Sequence, residues 1–280
     1  MVAVEDLYRP YRPKRRTRAT IAKEKGLEPL ANVMLLQMTK EPLLKTAEAY
    51  VSGEKGVNTP EEAVAGAMDI IAESISDNAD YRTGIREITF KEGILSSSAK
   101  DAEAKTVYEM YYNFTEPVAK MAGHRVLAVN RGENEKILTV KIEAPEDRIL
   151  SYLEKRIITR DNAFTTQPLR DTIQDSYERL IAPSIEREIR NQLTETAEDG
   201  AIKVFGKNLE QLLLQPPIQG HVVLGWDPAF RTGCKLAVVD ATGKVLDTTV
   251  IYPTAPQNKV TEAKTVLKKL IKKYNVTLIS

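Results

Sequence analysis

Apolar residues recur at helical spacing through most of the first 215 positions. The clearest case starts at Thr59-Pro60-Glu61-Glu62, a capping threonine followed by proline at the first helical position and glutamate three residues after the cap. The apolar positions that follow lie on one helix face: Ala63, Ala67, Ile70, Ile71 and Ile75. A second helix is expected after the break at Ser76-Asp77-Asn78, extending to Ile94 or Leu95.

Two further helical patterns follow. Residues 169–193 are amphipathic over many turns, and Pro183 is expected to kink or divide this helix because proline removes a backbone donor. Residues 201–214 predict one more helix. The clear strand in this half is 137–142, where apolar and polar positions alternate, and the sequence indicates no partner for it.

The pattern changes after Gln215-Pro216-Pro217-Ile218-Gln219-Gly220, since two prolines and a glycine cannot continue a helix. Three strands, a helix and the start of a further strand are then predicted, in this order: 222–227, 234–240, 245–252, about 260–274, and 275–280. We therefore predict two domains, a mainly helical one at 1–215 and a partial α/β domain at 216–280.

Composition limits the possible compartments but identifies no partner. The 40 Lys and Arg residues nearly balance 39 Asp and Glu residues, so the overall charge does not predict a polyanion as ligand. A single cysteine, Cys234, excludes an intrachain disulfide and fits a reducing compartment. No apolar run approaches the roughly 20 residues of a membrane helix, so we expect a cytoplasmic protein without a membrane partner. The sequence stops within a predicted strand, and we expect it to be a piece of a longer protein.

One acidic residue is a candidate for metal chemistry. Residues 222–240 predict an antiparallel hairpin with Asp227 at the end of its first strand, where ribonuclease-H-like folds place a metal-binding carboxylate. A two-metal nuclease needs several carboxylates around Mg²⁺ ions that lie about 4 Å apart. Asp240 is expected at the far end of the hairpin or on its exit loop, and Glu262 at the start of the next helix. We therefore expect no catalytic residue and no cofactor, and Mg²⁺ at Asp227 only if the domain is an active nuclease.

Basic residues cluster near the start of the chain. Segment 8–18 interleaves two tyrosines with the residues that we predict to contact nucleic acid: Arg9, Arg12, Lys14, Arg15, Arg16 and Arg18. Such charges suit phosphates, and aromatic rings can stack on bases. The acidic neighbours Glu5, Asp6 and Glu24 leave open a structural clasp built from arginine–carboxylate pairs. Two prolines in the segment predict an extended strap rather than a helix.

The predicted helix at 260–274 carries a second basic surface. Its apolar stripe leaves the lysines on the outward face, and Lys268 and Lys272 are the candidates there for nucleic-acid contact. A solvated helix face is the alternative interpretation, because outward lysines are usual on surface helices.

Several long segments are similar to a known family. They are VEDLYRPYRPKRRTRATIAKEKGLEPLA (4–31), HRVLAVNRGE (124–133), 179–217, and the hairpin together with VLDTTVIYP (245–253). They resemble the Tex family of bacterial transcription accessory proteins. The resemblance implies a mainly α N-terminal region with a helix-turn-helix-like part, then a partial α/β ribonuclease-H-like (YqgF-like) domain. Where the family usually has glycine, this chain has Ala229.

Three functions follow from these observations. The leading hypothesis is a non-enzymatic, mainly RNA-binding scaffold within a transcription accessory protein, with RNA polymerase or the ribosome as further partners and a nuclease-like domain that is inactive. One alternative is a metal-dependent nuclease or junction resolvase centred on Asp227, which would need at least two more acids beside it. The other is a protein-interaction module for the transcription or translation machinery.

Overall fold

The structure, a computed structural model, describes residues 2–13, 15–216 and 218–280. It divides into two units, Met1–Gly206 (unit 1) and Lys207–Ser280 (unit 2). The domain boundary predicted after residue 215 stays a prediction. None of the helices in the described ranges is long and apolar enough to cross a membrane.

Unit 1 is mainly helical, with one small sheet. The helices that begin in it are α1 (Val2–Tyr8), α2 (Arg18–Glu24), α3 (Glu28–Leu36), α4 (Leu43–Ala47), α5 (Pro60–Asp77), α6 (Ala79–Glu92), α7 (Gly123–Asn134), α8 (Glu146–Ile157), α9 (Thr166–Asp175) and α10 (Ala182–Leu213). Its strands are β1 (Ile94–Ala99), β2 (Asn113–Pro117) and β3 (Leu138–Glu143).

Helix α5 forms as the sequence predicts. The Thr59 hydroxyl accepts a hydrogen bond from the Glu62 amide at 3.2 Å, and Pro60 is the first helical residue, where its missing N–H costs nothing. The apolar face is buried in the core of unit 1, with Ala63 and Ile71 fully inaccessible. A buried isoleucine contributes about 1.5–3 kcal/mol. Helix α5 packs against α2, α3, α4 and α9, and is therefore the central helix of this unit.

The predicted extension of α6 to Ile94 or Leu95 is wrong. Gly93 ends the helix, and Ile94 begins β1. Strand β1 is itself the partner that the predicted 137–142 strand lacked. The sheet order is β2-β1-β3 and both pairings are antiparallel. Strand β1 carries three consecutive serines, so its apolar signal is weak. Leu95 and Ser97 face inward all the same, and the Ser97 hydroxyl donates to the Tyr111 carbonyl at 2.6 Å.

Helical structure is continuous from α9 to the end of α10. A π-helical turn, Ser176–Ile181, joins α9 directly to α10, and Pro183 is the second residue of α10. The helix is therefore not divided at Pro183, and instead the helix type changes just before it. The predicted kink stays a prediction. Proline leaves a carbonyl in the preceding turn without its donor, and a widened turn accommodates the ring. The separate helix predicted at 201–214 is wrong, because these residues continue α10.

The N-terminal segment is only partly the predicted strap. Helix α1 includes Tyr8, and Arg9–Tyr11 form a 3₁₀ turn with Pro10 near its start, where a missing N–H is tolerated. The chain becomes extended at Arg12, and Thr17 then caps α2 by accepting from the Thr20 amide at 3.1 Å. The prediction of an extended conformation is therefore wrong for residues 8–11.

Unit 2 has the predicted α/β order. It contains β4 (Val223–Asp227), β5 (Cys234–Val239), β6 (Val245–Ile251), α11 (Val260–Tyr274) and β7 (Leu278–Ile279). The sheet order is β6-β5-β4-β7, antiparallel except for the β4–β7 pair. Leu224, Leu236 and Val238 share a buried cluster with Ala263 and Leu270 of α11, so the helix covers one sheet face. A mainly helical region followed by this small mixed sheet confirms the predicted fold class; the helix-turn-helix-like part stays a prediction.

Candidate nucleic-acid interface

A buried ion cluster fixes the first helix of unit 1. The Asp6 carboxylate, 2% exposed, accepts hydrogen bonds from Arg82 Nε at 2.7 Å and from Arg86 Nη2 at 2.6 Å. Glu188 of α10 accepts from both arginines, with 2.7 Å between its Oε2 and Arg86 Nη2. Arg82 is fully buried, and its positive charge depends on these carboxylates because water cannot reach it. The cluster therefore joins α1 to α6 and α10.

Arg9 extends this cluster instead of pointing freely into solvent. Its Nη2 donates to Ser184 Oγ at 3.4 Å, and the same hydroxyl accepts from Arg82 Nη2 at 2.9 Å. Burial lowers the pKa of the Arg9 guanidinium, and the positive charge of Arg82 lowers it further. Arg9 is therefore part of a structural clasp, while Asp6, a predicted clasp acid, pairs with residues far away in sequence.

The other arginines of the segment are exposed. Arg16 Nη2 lies 3.1 Å from Glu24 Oε2, and both side chains are mostly in solvent. Such a pair contributes about 0–1 kcal/mol, so a phosphate can compete for Arg16. For the remaining arginines the structure records no ion pair with another described residue: Arg12, Arg15 and Arg18. Lys14, also predicted to bind nucleic acid, lies outside the described residues.

All but Arg18 of these arginines border a groove of about 610 Å³ in unit 1, together with Arg9. Its basic lining residues are Arg9, Arg12, Arg15 and Arg16, and its acidic ones are Glu5, Glu73 and Asp77. The groove is therefore of mixed charge, with the arginines on the N-terminal segment. Tyr8 and Tyr11 of that segment are 56% and 79% exposed, which leaves their rings available for stacking.

Lys268 and Lys272 lie on the exposed face of α11 in unit 2. Neither forms an ion pair with another residue in the described part of the chain. The neighbouring Lys273 differs, because its Nζ lies 3.4 Å from Asp247 Oδ2. Two lysines four residues apart on one helix face suit successive phosphates of a strand.

Asp227 is the last residue of β4, beside the turn that connects β4 to β5 in unit 2. Its side chain is 71% exposed, and Oδ2 lies 3.9 Å from Nζ of Lys235, the residue opposite it in the β4–β5 register. It borders a concave surface of about 850 Å³ on the sheet. Across the described residues, no three His, Cys, Asp or Glu side chains are grouped so as to hold a metal ion. Asp227 here supplies one carboxylate, whereas a two-metal centre requires several.

Asp240 has a local structural role. Its Oδ1 accepts from the Thr242 amide at 2.9 Å, from the Thr242 hydroxyl at 2.7 Å and from the Lys244 amide at 3.0 Å. These bonds, that of the Thr242 hydroxyl first, lower the pKa of Asp240. The register pairs Val223 with Val239, so Asp240 follows the end of β5 that lies opposite the start of β4, away from Asp227.

Sequence reasoning missed Arg82, Arg86 and Glu188. A signal was present, since Arg82 and Arg86 lie four residues apart on a helix, on either side of the buried Ile85. Charged residues at the border of an apolar stripe are usually solvated, however, and only the tertiary fold brings Asp6 and Glu188 to them.

Two family models match the chain. The Tex central region-like model matches residues 38–205, and the Tex protein YqgF-like domain model matches residues 221–280. Together they match most of both units.

Curated relatives agree with these matches. The Bacillus subtilis protein YdcI is 55% identical over 280 residues, covering 99% of this chain and 39% of that protein. Protein tex of Bordetella pertussis is 36% identical over 294 residues, with 99% and 37% covered. Human S1 RNA-binding domain-containing protein 1 is 32% identical over 266 residues, with 89% and 26% covered. The chain thus spans less than two fifths of the length of these relatives.

Proposed function

The chain belongs to the Tex family, and on this premise we propose that it binds nucleic acid as part of a transcription accessory protein. We propose that it binds RNA in preference to DNA. Relatives named for transcription and for S1 RNA binding support this proposal. RNA polymerase or the ribosome, in the cytoplasm, are the further partners that we propose.

The exposed arginines of the N-terminal segment are the observation that carries the proposal. Four guanidinium groups lie within seven residues, at Arg12, Arg15, Arg16 and Arg18. Arginine binds phosphate through paired N–H donors, and the exposed Tyr11 ring can stack on a base. The buried cluster fixes α1, so the segment that carries these arginines begins at an anchored helix. Lys268 and Lys272 provide a second, smaller basic surface in unit 2.

We further propose that the YqgF-like domain acts as architecture and not as a nuclease. The support is that Asp227 pairs with a lysine and that it belongs to no group of three or more potential metal ligands among the described residues. The rival hypothesis is Mg²⁺-dependent cleavage centred on Asp227. A pure protein-interaction module is the second rival.

The test is a binding titration with fluorescent single- and double-stranded RNA and DNA over a salt series, with Mg²⁺ present and the strands examined on a gel. Four phosphate contacts predict a slope of log K against log salt of about −3 for single strands. The double variant Arg12→Gln/Arg15→Gln should make this slope less steep by about 1.4. Its matched control is Arg131→Gln/Arg160→Gln, two exposed arginines elsewhere in unit 1.

Each outcome separates the hypotheses. The proposal is supported if binding is salt-sensitive, weakens in Arg12→Gln/Arg15→Gln but not in the control, and leaves the nucleic-acid strands intact. Cleavage that Asp227→Asn abolishes would establish the nuclease instead. Absence of binding to every strand would contradict the proposal and favour the protein-interaction module.

A further inference from the structure

A second cavity in unit 1 has an acidic lining, which the proposed nucleic-acid binding does not use. Its volume is about 410 Å³, and residues of α6, β3, α8, α10 and the π-helical turn line it. Four carboxylates border it, from Glu143, Glu146, Glu178 and Glu186, and no lysine or arginine is among its lining residues. The acidic lining would repel a phosphate and favours a cation.

Two buried hydroxyl-bearing residues line the same cavity. Thr89 is 3% exposed, and its hydroxyl oxygen is buried without a hydrogen-bond partner among the described residues. Tyr177 is 4% exposed, and no hydrogen bond joins its hydroxyl to another residue that the structure describes. A buried hydroxyl without a partner is costly, so the Thr89 oxygen in particular indicates a missing donor.

The carboxylates around the cavity also lack counter-ions. None of the four has a lysine or arginine within 4.0 Å in the described ranges; Glu178 accepts from Gln174 at 2.8 Å, and Glu186 accepts from the Ile142 amide at 2.9 Å. Burial raises the pKa of Tyr177 to about 12, and the negative charges of Glu146 and Glu186 raise it further. Negative charge therefore accumulates here without an ion-pair partner among the described residues.

We propose that this cavity binds an organic cation, the guanidinium or ammonium group at the end of an aliphatic stem. The three isoleucines in its lining, Ile85, Ile142 and Ile185, suit the methylene groups of such a stem. The hydroxyl oxygens of Thr89 and Tyr177 can accept the N–H donors of the cation, and the carboxylates at the rim neutralise its charge. A metal ion fits less well, because the carboxylates do not form a metal-binding group.

The local backbone supports a binding role. Tyr177 and Glu178 belong to the π-helical turn, and single π-helical turns inside α-helices occur frequently at functional sites. The widened turn brings both side chains to the cavity that α6 and β3 line from the other side.

The cation could come from a small free molecule or from an arginine or lysine side chain of a protein. Ile δ1-methyl-labelled protein distinguishes the two by NMR, because three isoleucines line the cavity. The probes are n-butylguanidinium, a short peptide with a central arginine, and the same peptide with neutral citrulline. Both cationic probes should shift the methyl signals of Ile85, Ile142 and Ile185 if a free cation suffices. Shifts with the arginine peptide alone would assign the site to a protein side chain.

Charge-neutral variants test the carboxylates. Glu146→Gln and Glu178→Gln change exposed side chains, so the fold should persist, and together they should weaken binding of the cationic probe about tenfold. Asp147→Asn is the matched control, since Asp147 is adjacent in the first turn of α8 but does not line the cavity. Thr89→Val should weaken probe binding while leaving the unliganded protein at least as stable, because no hydrogen bond is lost.

Three results would overturn the proposal. One is the absence of methyl shifts with every probe. Another is an equal response to the citrulline peptide, which would show that charge is not recognised. The last is unchanged affinity in the Glu146→Gln/Glu178→Gln variant.

Discussion

Replacing Asp6 by asparagine tests the buried cluster most directly. Asp6 receives charge-assisted hydrogen bonds from Arg82 and Arg86 and is 2% exposed. Asparagine keeps the size of the side chain and one acceptor oxygen, but it presents an NH₂ group to one of the guanidinium donors. The change therefore removes part of the negative charge that compensates the fully buried Arg82 guanidinium.

The magnitude follows from the two bonds. A hydrogen bond to a charged group contributes about 1.5–3 kcal/mol, and breaking a buried ion pair by removing one partner costs about 3–5 kcal/mol. We expect Asp6→Asn to lower the free energy of unfolding by about 3–5 kcal/mol, at the lower end if Glu188 takes over part of the role. Domains have only about 5–15 kcal/mol in total, so the loss is large.

Chemical denaturation followed by far-UV circular dichroism measures this loss, since most helices lie in unit 1. The single tryptophan, Trp226, lies in unit 2, and its fluorescence therefore gives a separate signal from the other unit. Glu5→Gln is the matched control, an exposed acid on the same helix, with an expected change within about 0.5 kcal/mol. A loss in Asp6→Asn no larger than in Glu5→Gln would refute the reasoning.

Three further predictions concern unit 2. The Tyr274 hydroxyl lies 2.7 Å from Asp247 Oδ2 and lowers the pKa of Asp247. The ionised carboxylate therefore stabilises the fold above its unfolded pKa of about 3.9. This contribution disappears as the pH falls through the lower folded pKa. Asp247→Asn should therefore reduce the acid sensitivity of the Trp226 unfolding transition, and an unchanged pH profile would count against this. Ala229 does not have a positive φ, so Ala229→Gly should lower stability by about 0.4–1 kcal/mol, and a gain would contradict it. Gly233→Ala should cost more than about 1 kcal/mol in the same unfolding measurement, because φ is +80° and the added Cβ would lie 2.5 Å from Tyr252.

The fold could be predicted where one signal dominated. Strong capping and an apolar stripe predicted α5, and alternating apolar residues with turn glycines predicted the strands of unit 2. Strand β1 was missed because serines occupy half of it, and its burial depends on β2 and β3 packing on either side. The π-helical turn was missed because proline predicts an interruption but not its geometry.

Less of the candidate site than of the fold could be predicted from the sequence. Local charge clustering identified the exposed arginines, since Arg12, Arg15 and Arg16 are close together in sequence. The role of Arg9 was not predictable, because its environment depends on Ser184, which is 175 residues away. The cavity at Thr89 and Tyr177 was missed for the same reason: its walls come from segments that no sequence period connects.

The two interpretations of the N-terminal segment, clasp and nucleic-acid surface, apply to different residues. Arg9 lies beside a buried cluster. If Arg9 moved to bind a phosphate, Ser184 would lose a hydrogen bond and the nearby carboxylates would lose a positive charge, so Arg9 is poorly suited to phosphate binding. Arg12 and Arg15 carry no such penalty, because they lie in solvent. The buried charges of α1 thus hold the segment at one end, and the exposed charges beyond the 3₁₀ turn remain free to bind. A fixed origin reduces the conformational entropy that ordering the segment on a strand would otherwise cost.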